Sequence, residues 1–209
     1  MTTRDKDHST EEIILDAARE VFMEKGMEGA RMQEIADAAG INKALLHYYF
    51  RTKEKLFGLV FDKAFGEFLP RMTVLFSSDI PLLEKLSQFI RSYIELISKN
   101  RFLPGFMITE INRDPGKVVE KFQQMASGML ASNIRILEKE LKNEEKKGNI
   151  KYVDPRHLIV NILALCIFPY IGEPLLKPVL FANDSSEFSA FMEERPALIE
   201  KFVLNALKP

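Results

Sequence analysis

The chemistry-bearing side chains of this 209-residue chain are densest between Asn42 and Lys55. At about 100° per residue, a helix over residues 43–50 puts Lys43, Ala44, His47, Tyr48 and Arg51 on one half-circle. Leu45, Leu46, Tyr49 and Phe50 fall on the other, with Tyr49 near the boundary. The outward half carries no carboxylate. Over residues 41–55, Lys43, Arg51, Lys53 and Lys55 stand against Glu54 alone, a net of +3. Ammonium and guanidinium groups neutralise phosphates, while amide, imidazole and phenol groups hydrogen-bond to phosphate or base edges. A small residue such as Ala44 lets a helix approach a groove closely. That is the chemistry of a helix laid on duplex DNA. The competing reading is a solvated helical face, which the aromatic content and the short flanking helices make the weaker one.

The other reactive groups do not gather. His8, His47 and His157 are scattered, and Cys166 lies in an apolar stretch. There is no HExxH, CxxC, nucleophile elbow or glycine-rich phosphate loop. An enzyme is therefore the alternative reading, together with a helical protein–protein adaptor, and neither a cofactor nor a metal is expected.

A helical period runs through nearly the whole chain. Ser9 to Glu12 has capping-box spacing ahead of Ile14, Ala17, Ala18, Val21 and Phe22, and Gly26 supplies a stop. Short helices are predicted over 32–39 and 43–50, the second capped by Asn42, and Thr52 caps a fourth that Pro70 disturbs at its end. Further helices are predicted over about 81–99, 102–111, 117–147, 155–168 and 186–207, with a proline-broken connection between the last two. The expectation is an all-α fold of about nine helices and no sheet. Residues 1–52 form a three-helix helix-turn-helix domain, and 53–209 form a larger ligand-sensing and dimerisation domain.

Composition alone does not point to nucleic acid. The chain has 29 Lys and Arg against 30 Asp and Glu, and residues 1–55 carry a net of −2. Only the placement of charge around the third helix does. A single cysteine excludes an internal disulfide and fits a reducing cytoplasm. The most apolar stretch, 158–176, is interrupted by Asn161, Pro169, Gly172, Glu173 and Pro174, so no membrane span is expected.

Three runs carry a family resemblance: 22–26 (FMEKG), 32–43 (MQEIADAAGINK) and 46–56 (LHYYFRTKEKL). Together they resemble the N-terminal signature of TetR-family transcriptional regulators, ungapped over roughly residues 10–60. The resemblance implies a cytoplasmic homodimer that binds double-stranded, near-palindromic operator DNA and responds to a small-molecule effector, most often as a repressor. By position, Asn42, Lys43 and Ala44 fall where the family meets the operator. His47, Tyr48 and Tyr49 match its aromatic block, and Lys53 a frequent phosphate contact. Ala30 stands where the family commonly has a capping threonine, with Arg31 beside it able to take over the phosphate contact. Gln33 stands where arginine is common, which suggests a shifted base preference toward adenine.

Beyond the signature, the chain is rich in adaptable apolar residues. Phe65, Phe68, Phe89, Tyr93, Phe106, Met125 and Met129 are candidates to line an effector pocket, with an ordinary filled core as the competing reading. An apolar or amphipathic effector is expected. Leu158, Ile162 and Leu165 belong to a helix that is apolar nearly all round, and Phe188, Met192, Ile199 and Phe202 form a long stripe on the last one. Both are predicted to pair with their counterparts in a dimer.

Overall fold

The computed structural model describes residues 3–126 and 128–209, with side chains from residue 10 onward. The described residues form eleven helices and no strand: α1 (Thr3–Gly29), α2 (Met32–Ala38), α3 (Lys43–Tyr49), α4 (Lys53–Ser77), α5 (Leu82–Ser98), α6 (Phe102–Arg113), α7 (Pro115–Ala126), α8 (Met129–Lys146), α9 (Pro155–Ile171), α10 (Glu173–Phe181) and α11 (Ser185–Ala206). The all-α class stands, and the count of nine is corrected to eleven. The helix expected over 117–147 is divided, because Gly128 has φ 81°, a left-handed backbone that a continuous helix does not contain. The proline-broken connection is itself a helix, α10. It tolerates Pro174 because that residue sits in the first turn, where an N–H has no intrahelical partner to lose.

Two other boundaries moved. α1 starts at Thr3, upstream of the expected cap; the side chains of His8 and Ser9 lie outside the described residues. α4 continues through Pro70 to Ser77, at the cost of one rung, since proline has no N–H to give the Gly66 carbonyl. Among the described residues no single helix is long and apolar enough to cross a membrane.

The contacts divide the chain into two compact units, Met1–Glu67 with Asn100–Arg113, and Phe68–Lys99 with Asp114–Pro209. In the first, the buried stripe of α1 (Ile14, Ala17, Ala18, Val21, Phe22) meets Ile35 and Ala36 of α2, Leu46 of α3 and Leu56, Phe57, Val60 and Phe61 of α4. The Phe57 ring is the centre of this core. Its centroid lies 4.7 Å from Phe22, 5.1 Å from Phe102 and 4.1 Å from Phe106. Fully burying a side chain of this size contributes about 1.5–3 kcal/mol.

In the second unit, α5 is buried along most of its length and packs against α8, α9 and α11. Arg91 of α5 donates twice to the Glu200 carboxylate of α11, at 2.9 and 3.0 Å. α9 carries Pro169 in its interior, which leaves the Leu165 carbonyl without its helical N–H. The Arg195 guanidinium of α11 donates to that same carbonyl at 2.9 Å. One helix thereby repairs the break in another.

Candidate nucleic-acid interface and sensing unit

The turn between α2 and α3 is built by Gly40 at φ 66°. Its N–H donates to the Asp37 carbonyl and the next N–H, of Ile41, to Ala36, which closes α2 and reverses the chain within three residues. Asn42 then starts α3, its Oδ1 accepting from the Leu45 N–H at 2.8 Å. Leu46 is fully buried and Phe50 nearly so, and these two anchors fix the rotation of α3. Lys43, Ala44, His47 and Tyr48 are exposed, Tyr48 at 79%, while Tyr49 is half-buried with its ring edge-on to Tyr48 at 5.4 Å.

The hydrogen bonds within this unit decide what each side chain still has to offer. Asn42 has used its carbonyl oxygen on the cap and keeps two N–H donors. His47 Nδ1 lies 3.3 Å from the Arg51 carbonyl. A carbonyl only accepts, so Nδ1 is the donor in this bond and Nε2 is left for other partners. Gln33 Nε2 donates to Asp37 at 2.8 Å, which leaves one N–H and the carbonyl for a base.

Two of the sequence assignments change in detail. α2 is capped at Arg31, not Ala30: the Glu34 carboxylate accepts from the Arg31 N–H at 3.1 Å, and Ala30 is 2% exposed. Glu34 meets the Arg31 N–H by reaching back, which is a different bond from the one a capping threonine would make to a first-turn N–H. Glu34 also takes Lys25 at 2.9 Å, and these two partners, Lys25 first, hold its carboxyl below the usual carboxylate range. The second change concerns Lys53. Its ammonium donates to the Glu28 and Ala30 carbonyls, at 3.3 and 3.1 Å, so two of its three N–H groups are spent on the chain that leads into α2.

Residues 14–60 match the profile described as bacterial regulatory proteins, tetR family. That stretch is the N-terminal domain of a TetR-family regulator. The chain is 24% identical over 208 residues to the HTH-type transcriptional regulator RutR of Escherichia coli (strain K12), an alignment that covers 94% of this chain and 89% of RutR. HlyIIR, a hemolysin II transcriptional regulator, shares the fold with a TM-score of 0.59 and 25% identity, covering 97% of this chain and 98% of that one. The fold also matches the transcriptional regulator FadR of Bacillus subtilis, solved in complex with stearoyl-CoA. There the TM-score is 0.53 and the identity 22%, over 90% of this chain and 96% of FadR. A helix-turn-helix that presents the α3 face is thus what a DNA-binding transcriptional regulator of this family uses.

The pocket candidates separate into two groups. Phe65 stacks on Phe61 at 4.5 Å and Phe106 packs on Phe57, both in the first unit. Phe68, Phe89 and Tyr93 form an aromatic row with Phe76 in the second, with centroids 5.6–6.4 Å apart. Burial pushes the Tyr93 phenol well above its usual range, so it stays protonated. Met125 and Met129 are half-buried. Of the dimer candidates, Leu158, Ile162, Phe188 and Ile199 are spent on the subunit's own core. Leu165 and Met192 are half-buried and Phe202 is 66% exposed. The exposed apolar positions on these helices are Val160, Phe168, Leu198 and Phe202, joined on α10 by Leu175, Val179 and Leu180.

Sequence reasoning passed over two buried polar groups of the second unit. Asn133 is 6% exposed on the α8 stripe that also carries Leu137 and Leu141. Lys85 is 1% exposed, and donates to the Phe76 carbonyl at 3.0 Å and to Glu140 of α8. An asparagine at helical spacing from two leucines was the available signal.

Proposed function

We propose that this regulator is a cytoplasmic repressor that binds a near-palindromic operator as a homodimer and releases it when a small apolar or amphipathic molecule binds. Residues 1–52 bind DNA through Arg31, Gln33, Asn42, Lys43, Ala44, His47, Tyr48 and Tyr49, with Lys53 holding the loop ahead of α2 as well as facing phosphate. Residues 53–209 sense and dimerise. The observation that carries this reading is the one-sided α3 face, with Leu46 buried beneath and Lys43, Ala44, His47 and Tyr48 exposed above it.

The dimer reading is supported by exposed apolar side chains on α9, α10 and α11, which a hydrophobic interface would cover. The effector reading is supported by the aromatic row of the second unit. The acyl-CoA bound by the B. subtilis FadR, a protein of the same fold, is an amphipathic molecule of the class proposed here. Release requires that the effector bind the DNA-incompetent state more tightly than the competent one, and a coupling of about 1–3 kcal/mol lowers operator affinity roughly 5–150-fold.

Selection of bound sequences from a random duplex pool tests the DNA reading. A motif with two-fold symmetry is expected, and Lys43→Ala or Tyr48→Ala should each weaken binding to it, by about 1–3 kcal/mol where a base contact is lost, while the protein stays folded. Enrichment of no motif refutes it. Light scattering at micromolar concentration tests the dimer, which a monomeric mass rules out.

A further inference from the structure

Two buried acceptors on one side of α8 have no hydrogen-bond donor among the described residues: Asn133 Oδ1 and Glu140 Oε2. The residues are seven apart, two helical turns and about 10 Å along the axis, so they share a face. Asn133 is more than nine-tenths buried. Its Nδ2 makes one long bond, 3.3 Å to Thr73 Oγ1, and that hydroxyl gives its own proton to the Leu69 carbonyl. The amide is thus held against α4 from its nitrogen side while its oxygen is left over. The α4 turns on either side of Thr73 carry Met72 and Phe76, which are buried, and Phe76 leads into the aromatic row through Phe89. Glu140 gives one oxygen to Lys85, which neutralises its charge and leaves the second oxygen as a further acceptor.

A buried acceptor left without a donor is costly, and native structures keep few of them. If packing alone governed this stripe, an apolar residue at 133 would serve better, since it would leave neither the carbonyl nor the Thr73 hydroxyl without a partner. We infer that Asn133, with Glu140 two turns along, is the hydrogen-bond-accepting anchor of the effector site, and that the effector is an apolar molecule presenting an O–H or N–H donor, not a carboxylate. This rests on the effector reading above and narrows it. A carboxylate brings only acceptors, and neither Asn133 Oδ1 nor Glu140 Oε2 can donate to them. An alcohol, amide or ring N–H supplies what is missing. The protonated Tyr93 hydroxyl can give or accept and fits either case.

The test uses the full-length protein and three probes of equal chain length: 1-octanol, its methyl ether 1-methoxyoctane, and octanoate. Calorimetric titration should find the alcohol bound at least about tenfold more tightly than either of the others, because a site built to bond a donor rejects the analogue that lacks it. Asn133→Ala should bring the alcohol and the ether to within about threefold, with a thermal melt confirming that it folds. If that variant does not fold, the wild-type comparison alone decides. Equal binding of alcohol and ether, tighter binding of octanoate, or an alcohol preference that survives in a folded Asn133→Ala overturns the inference. An ether that binds well and lowers operator affinity overturns the donor requirement while leaving the effector reading intact. Binding of none of the three at millimolar concentration overturns both.

Discussion

By resemblance, Lys43 falls where the TetR family meets the operator and Lys53 at a frequent phosphate contact, yet the two are engaged differently within the protein. Lys43 is exposed on α3, whereas Lys53 donates to the Glu28 and Ala30 carbonyls at the approach to α2. Lys53→Met keeps most of the side-chain volume and removes the charge and all three donors. Two partly solvated bonds from a charged donor contribute about 1–2 kcal/mol net. For a chain of this length that is a fall of roughly 2–8 °C in melting temperature. Lys43→Met should leave the melting temperature within about 2 °C, because a surface change away from such features costs at most about 0.5 kcal/mol. The two should also part in salt dependence. Removing one phosphate contact reduces the slope of log K against log salt by about 0.9. Lys43→Met should show that drop, and Lys53→Met a clearly smaller one. Operator titrations at four or five salt concentrations, paired with thermal melts, measure both. A Lys53→Met protein that melts like the wild type and loses a full unit of slope would refute this division of labour between the two lysines.

Further expectations follow from the second unit and from the carboxylates. Arg195→Met should destabilise by about 1–3 kcal/mol in urea unfolding, since it leaves the Leu165 carbonyl unmet in a part-buried setting. Asp184 caps α11 through the Glu187 and Ser186 N–H groups, and Glu34 is held by Lys25 and the Arg31 N–H, so both carboxyls sit below their usual range. Their folded-state values are depressed, so their stabilisation is complete above the unfolded value near pH 4 and is lost as pH falls through the folded ones. Melting temperature should therefore be flat from about pH 7 to 5 and fall below about pH 4, and a Glu34→Gln, Asp184→Asn protein should fall less steeply. Burial pushes the Cys166 thiol up to about 12, with Arg195 opposing. Iodoacetamide at pH 8 should leave it unmodified in the native protein and alkylate it in denaturant, as read by intact mass.

Much of the DNA-binding unit could be read from the sequence because its signals are local. The Asn42 cap, the Gly40 reversal and the buried Leu46 and Phe50 are each set by residues within a few positions of one another. What the sequence did not show in this unit lies where the partner is distant or reversed in order. Lys53 meets carbonyls more than twenty residues upstream, and at the start of α2, where Ala30 has no side chain to cap with, Glu34 reaches back to the Arg31 N–H. In the second unit, periodicity located the helices but not which apolar side they bury. α9 is apolar nearly all round, so only the fold separates buried Leu158 and Ile162 from exposed Val160 and Phe168. The additional helices had a different cause. Composition cannot tell a glycine that a helix tolerates from one, Gly128, that ends it, nor a proline that breaks a helix from Pro174, which begins one.

The repaired rung in α9 has a consequence for how this sequence can change over evolutionary time. Pro169 creates an unmet carbonyl and Arg195 meets it, from a helix 30 residues away along the chain. Neither residue's worth is a property of that residue alone. A proline arising first in a lineage without the arginine carries its full penalty, while an arginine arising first carries only the partial burial of its guanidinium, eased by the Phe191 ring beside it. The accessible order of mutation is therefore arginine, then proline. Once both are present the arginine is entrenched, because its loss now exposes a defect that did not exist when it was gained. Replacing Pro169 by alanine restores the backbone N–H and releases that constraint, so the two substitutions together should cost less than the sum of their separate effects.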